Sequence, residues 1–317
     1  MAQARKLIVF LIALLAFGAA LQAGSAQSVS VTFSLKQKKY RSDGAGASLS
    51  ADLSSMVYVG GDRALHVVEI ASHKDRVVLT GVGFLDTFMD PSFSPDGKRI
   101  VFSLSGGTWY YPSDIYSVQS DGTGLKQLTR SKPIEGGRYA EYFYTPRYSP
   151  DGSQILVRQY DLATKTEQPD LASVMLPDGS GLHVLTKGES LAWADAGKAI
   201  FILNEQGVCK YDLASRKTQV VKGLDEVPVL GKLRGTDTFA VDRYGWLGLT
   251  KVTGAAAGPP RILPLSMTMR PEPVSGTSEG ASEDLKLTEV NSDRSGSYLL
   301  LRYNSFMFEV LQVVKVN

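Results

Sequence analysis

A unit of roughly 45 residues recurs along this chain, and that recurrence constrains the fold more than any other feature. Leu49-Ser50-Ala51-Asp52 leads into Met56-Val57-Tyr58-Val59. Phe93-Ser94-Pro95-Asp96-Gly97 leads into Ile100-Val101-Phe102, and Tyr148-Ser149-Pro150-Asp151-Gly152 into Ile155-Leu156-Val157. Trp193-Ala194-Asp195-Ala196-Gly197 precedes Ala199-Ile200-Phe201. Weaker copies stand at Leu233-Arg234-Gly235-Thr236 before Phe239-Ala240-Val241, and at Asn291-Ser292-Asp293 before Tyr298-Leu299-Leu300-Leu301. The starts fall at 49, 93, 148, 193, 233 and 291, spacings of 40 to 58 residues. A repeat of this length is the period of propeller blades, each of which needs neighbours to bury its faces.

Within a unit the pattern is four short strands. Asp96-Gly97 supplies the positive-φ positions of a tight hairpin, and Asp114–Val118 is a third strand that Asp121-Gly122-Thr123-Gly124 turns into Leu125–Thr129. No stretch after residue 26 carries a capped apolar period of 3.6, so helices are not expected to matter. The last unit has three strands if Phe306 to Val316 is one of them. Ser28 to Leu35 alternates polar and apolar residues and can supply the fourth, closing the ring and removing two sheet edges. The expectation is an all-β, six-bladed β-propeller of four-stranded antiparallel blades, its ring closed by an N-terminal strand in the last blade.

The order aromatic-Ser-Pro-Asp-Gly, apolar strand, Asp-Ile-Tyr, Asp-Gly, Leu-Thr resembles the TolB-like propeller repeat of periplasmic translocation proteins and of propeller domains in dipeptidyl-peptidase-like enzymes. Phe93–Gly97 with Asp114–Tyr116 and Leu128-Thr129 matches almost throughout, and Tyr148–Gly152 with Leu185-Thr186 matches well. The strong resemblance covers roughly 90–190 and a degraded one most of 45–316. It implies a propeller without the α/β domain or the hydrolase domain found in those relatives. Its residues build turns and core, so it speaks for fold more than function.

Arg5 and Lys6, the apolar run Leu7 to Phe17 and Ala23-Gly24-Ser25-Ala26 have the three-part order of a secretory signal peptide. Residues 1–26 are therefore read as a leader cleaved near Ala26, and 27–317 as one propeller domain in the periplasm or outside the cell. Of 34 basic and 32 acidic residues, two basic ones lie in the leader, so the mature chain is formally neutral. A neutral chain has no global pull toward nucleic acid or anionic lipid. The single cysteine, Cys209, allows no internal disulfide and reads as a small core residue.

His66 and His183 sit in apparent strands and His73 in a turn, none at a metal-ligand spacing from another. No nucleophile, metal cluster or acid–base constellation is local in the sequence, so neither catalysis, metal nor cofactor is expected. Strand alternation places the long connections 80–91, 104–113, 130–146, 158–169 and 265–285 on one face and the short Asp-Gly turns on the other. The long connections carry Phe84, Phe88, Trp109, Tyr110, Tyr111, Tyr139, Tyr142, Phe143, Tyr144 and Tyr160, interleaved with Arg138, Glu141 and Arg147. From these, Phe84, Trp109, Tyr110, Tyr111, Arg138, Tyr139, Glu141, Tyr142 and Arg147 are the candidate binding residues, since aromatics with arginine carry interaction hot spots. The bland reading is that the rings pack on one another and hold the loops down. By resemblance the expectation is a non-catalytic binding module for a protein partner, with no membrane insertion after leader removal. A glycan or small ligand is the alternative, and a channel-mouth lyase or hydrolase a further one.

Overall fold

The computed structural model describes residues 29–38, 46–81, 87–106, 113–133, 139–161, 170–224, 229–233, 236–243, 246–266, 268–269, 285–292, 298–304 and 308–316. Residues 1–26, with the expectation of a leader placed on them, lie outside the described residues.

Six antiparallel sheets of four main strands form a ring, and helix is confined, among the described residues, to a single 3-10 turn at Asp195–Gly197. Each blade begins with its innermost strand: Ala47–Leu49, Thr87–Phe93, Glu141–Tyr148, Glu189–Ala194, Val229–Lys232 and Leu285–Ser292. The order within each sheet then runs outward in sequence. The sixth blade is composite. Its outer strand is Val29–Lys38, paired antiparallel with Phe308–Val316 from Val29 opposite Val316 to Lys38 opposite Phe308. The ring closes as the sequence implied, with one difference. A bulge at Thr32 interrupts the alternation, so Val31 stands opposite Val314 and Phe33 opposite Val313. Phe33 is 4% exposed and Val31 is 55% exposed. The four apolar residues of this strand, expected on one face, are split across two.

The core is six clusters, one in each seam between neighbouring blades. Val57, Leu65 and Val67 meet Phe93, Ile100 and Phe102 between blades one and two. Val101 and Ile115 meet Phe143, Tyr148 and Ile155 in the next seam. Leu156 and Val174 then meet Trp193, Ile200 and Cys209. Blades four and five join through Phe201, Val208 and Phe239, and five and six through Leu249, Leu263, Leu299 and Val314. Phe33, Leu311 and Val313 close on Leu49, Met56 and Tyr58 of blade one.

The repeated Ser-x-Asp is a small hydrogen-bond device at the first hairpin of blades one, two and three. Ser94 Oγ donates to Asp96 Oδ1 at 2.6 Å and accepts from Arg99 N–H at 2.9 Å, while Lys98 N–H donates to Asp96 Oδ1 at 3.1 Å. Ser50 with Asp52 and Ser149 with Asp151 repeat it. The hydroxyls hold these exposed carboxyls below the ordinary value, Asp151 at about 2. In blade four Ala194 replaces the serine, and the chain instead passes through positive φ at Asp195 and Ala196. At the third-to-fourth turns, Gly122 and Gly179 have positive φ and sit against the preceding blade, where a Cβ would come within 2.7 Å of Val78 O and 2.6 Å of Leu128 O. The Asp-Gly signal therefore encodes a blade-to-blade contact as well as a turn.

Candidate functional site

All six innermost strands line a central channel of about 540 Å³. Five of them are bulged: the register shifts fall at Asp90-Pro91, Thr145-Pro146, Leu191, Leu230 and Thr288. Proline cannot donate to a ladder, and an extra residue there removes the need. Asp90 and Thr145, each before a proline, adopt φ of 51° and 48°. Such backbone is sparsely populated for non-glycine residues and persists only where its surroundings enforce it.

The bulges bring charge into the channel from three consecutive blades. Arg147 Nη1 donates to Asp90 O at 3.1 Å and to Pro146 O at 2.9 Å, and Arg147 O accepts from Trp193 Nε1 at 3.0 Å. One residue thus ties blades two, three and four around the channel. Glu189, at the elaborated end of the blade-four strand, accepts from Arg158 Nη1 at 2.8 Å. Arg158 in turn forks onto both Asp170 oxygens, at 2.7 and 2.9 Å. Burial pushes the Glu189 carboxyl above its ordinary value. Arg158 opposes the shift, and the negative charges of Asp170 and Asp90 add to it. Tyr144 lies opposite Arg158 in register, and burial raises its phenol to about 12. Asp90, Arg147, Glu189, Ser92, Thr145, Ser190 and Trp193 all line the cavity.

Of the nine candidate residues read from the sequence, Phe84, Trp109, Tyr110, Tyr111 and Arg138 lie outside the described residues. Arg147 reaches the channel wall. Glu141, Tyr142 and Arg147 do not belong to a loop: they sit in the innermost strand of blade three, which begins at Glu141. Phe88, Phe143, Tyr144 and Tyr160 are strand residues as well, with Phe88 and Phe143 in the blade seams. The long connections are shorter than the sequence suggests, because Asp90-Pro91 and Thr145-Pro146 look like loop sequence and are bulges in strands. Glu141 Oε2 accepts from Gln159 Nε2 at 2.8 Å, an interior contact. Tyr142 lies parallel to Tyr144, centroids 6.4 Å apart, and edge-on to Tyr160. Rings here do pack on rings. Tyr139 is half-buried and bridged to Pro133.

The histidines lie elsewhere. His66 is buried between Asp75 at 2.8 Å and Asp62 at 3.0 Å, and His183 Nδ1 is 2.8 Å from Gly181 O. Cys209 is buried in the seam of blades three and four. Asp90, Thr145, Glu189 and Ser190 escaped the sequence reading because each blade supplies one or two of them, tens of residues apart. The available signal was Asp-Pro and Thr-Pro placed three residues before the aromatic of the repeat.

No family model matches this chain. Among solved structures, an oligogalacturonate lyase in complex with manganese is similar over 87% of this chain and 78% of its own, with a TM-score of 0.53 and 11% identity. An oligogalacturonate lyase from Vibrio parahaemolyticus gives 0.54 and 11% over 86% and 78%. A TolB from Agrobacterium tumefaciens gives 0.57 and 15% over 93% of this chain and 99% of its own. These similarities correct the expectation of a non-catalytic module for a protein partner. A ring with the same fold over most of this chain carries lyases, so a lack of local catalytic motifs in the repeats does not argue against an enzyme. The physical reason is the one seen above, since a propeller assembles its channel one blade at a time. Manganese has no evident seat: among the described residues no three His, Cys, Asp or Glu side chains gather as ligands. In its fold this chain is a six-bladed TolB-like propeller.

Proposed function

We propose that this propeller is a carbohydrate-active protein that takes a glycan in its central channel, with Glu189 as its acid–base group. The observation that carries this reading is the placement of Glu189: partly buried, raised in pKa, fixed by Arg158, and facing the cavity beside Asp90. A carboxyl raised toward neutral pH and held by a second residue suits proton transfer to or from a bound substrate. Sugar hydroxyls match the mixture of carboxylates, hydroxyls and a guanidinium around it. Oligogalacturonate lyases on this fold support the same substrate class. Arrival of the chain in the periplasm or outside the cell, as its leader implies, would bring it to such substrates.

The test is incubation with oligosaccharides of α-1,4-galacturonan, α-1,4-glucan and β-1,4-glucan, followed by chromatography and unsaturated-product absorbance. Wild-type protein should convert one class, and Glu189→Gln should lose at least a hundredfold in kcat at unchanged melting temperature. Binding and turnover that survive Glu189→Gln would refute the role given to this residue. No binding of any glycan would refute the reading altogether.

A further inference from the structure

The channel has two unlike walls. Counting back from the register pairs Phe93–Ile100, Tyr148–Ile155, Trp193–Ile200 and Lys232–Phe239 makes Asp90, Thr145, Ser190 and Val229 equivalent positions, one per blade. Two residues on, Ser92, Arg147, Ala192 and Gly231 form the next layer. At this depth blades two to four present hydroxyls, a carboxylate and a guanidinium to the cavity, whereas blades five and six present Val229, Leu230, Gly231 and Val290; Thr236 and Asp237 line it only beyond the blade-five strand, in its first hairpin.

The polar wall is not satisfied by the protein itself. Ser190 is 6% exposed, and its hydroxyl has no hydrogen-bond partner among the described residues. The buried Thr145 hydroxyl, at the equivalent position of the adjacent blade, has none either. Buried polar groups are almost always paired, so two on cavity-lining residues of neighbouring blades mark a place for an outside hydroxyl. The ring is unbroken, because Val29–Lys38 completes the last blade. A chain molecule cannot lie across such a channel; it enters along the axis, end first.

Resting on the carbohydrate reading above, we propose that the protein recognises the end of a glycan chain. The terminal sugar descends into the channel with its hydroxyl edge on Thr145, Ser190, Asp90 and Arg147, and its C–H face against Val229 and Leu230. A pyranose ring has these two unlike sides, and the channel has the matching pair. The units behind it trail outward, beyond this set of groups.

Calorimetric titration of the three oligosaccharide series named above, from two to six sugars, tests this. For the class that binds, the dimer should match the hexamer within about threefold, since one terminal unit carries the recognition. Thr145→Val, which keeps side-chain shape and removes the hydroxyl, should weaken binding about tenfold with no loss of melting temperature. Ala192→Phe, which fills the channel, should abolish binding, its melting temperature confirming the fold. Affinity that climbs steadily with chain length, together with indifference to both substitutions, would overturn end recognition while leaving the glycan reading intact. Wild-type protein that binds none of the series would overturn both.

Discussion

Phe33→Ala tests how the ring is held shut. On the closing strand Phe33 has the deepest burial of any described side chain, 4% exposed in the cluster it forms with Leu311, Val313, Leu49 and Met56. Its ring also meets His73 edge-on at 5.1 Å. Truncating a buried phenylalanine costs about 3–5 kcal/mol through lost transfer energy and the cavity left behind. An outer strand can partly collapse into the gap, so about 3 kcal/mol is the expected loss. For a domain of this size that is a fall of roughly 6 °C in melting temperature. Val31→Ala on the same strand, two residues away and 55% exposed, should change stability by less than about 0.5 kcal/mol. Calorimetric melting and urea titration with a common m-value measure both. If the two substitutions are equally mild, the bulge at Thr32 does not set which residues face blade one, and the seam argument fails.

Asp114, buried at 6% exposure, accepts from Thr129 Oγ1 at 2.9 Å and from Ser131 N–H at 2.8 Å, so Asp114→Ala should cost about 2–4 kcal/mol in urea titration and Asp114→Asn clearly less. Ser149→Ala removes the hydroxyl that holds Asp151 at about 2. The depressed carboxyl stabilises the fold above its unfolded value near 3.8 and stops doing so as pH falls through about 2. The variant should therefore unfold at higher pH in an acid titration, and an unmoved midpoint would count against the turn device. Glu189 is raised by burial with help from Asp90 and opposed by Arg158. If glycan turnover needs its ionised form, Asp90→Asn should shift the acid limb of the kcat profile to lower pH and Arg158→Met to higher pH. A limb that moves in neither variant would remove Glu189 from the titration.

The blade count, the hairpin turns and the composite last blade were legible because each rests on residues close in sequence or on chain-wide repetition. The Ser94-Pro95-Asp96-Gly97 copies state a turn, and their spacing states a ring. What the sequence hid depends on one extra residue. A bulge at Thr32 divides Val31 from Phe33, and bulges at Asp90 and Thr145 turn apparent loop residues into channel wall. Bulges shift the two-residue alternation that makes strands readable. The tyrosines were visible as a group, yet register was needed to show Tyr142 against Tyr144. Glu189 had no local signature at all, since its partners Arg158, Asp170 and Asp90 belong to two other blades.

The composite blade also sets an order of assembly. Thr32 Oγ1 donates to Val313 O across 281 residues of chain, while the inner hairpin of blade two pairs residues only 7 to 18 positions apart. Closing so long a loop has a large entropic cost that only a nearly finished ring can offset. As the polypeptide is made from its N-terminus, Val29–Lys38 is produced among the first strands and its partner Phe308–Val316 among the last. Throughout synthesis this early strand is a bare edge without its mate, free to pair with another chain. The interval before closure is the period when the protein is most exposed to aggregation, and a chaperone that masks one short β-strand would shield it.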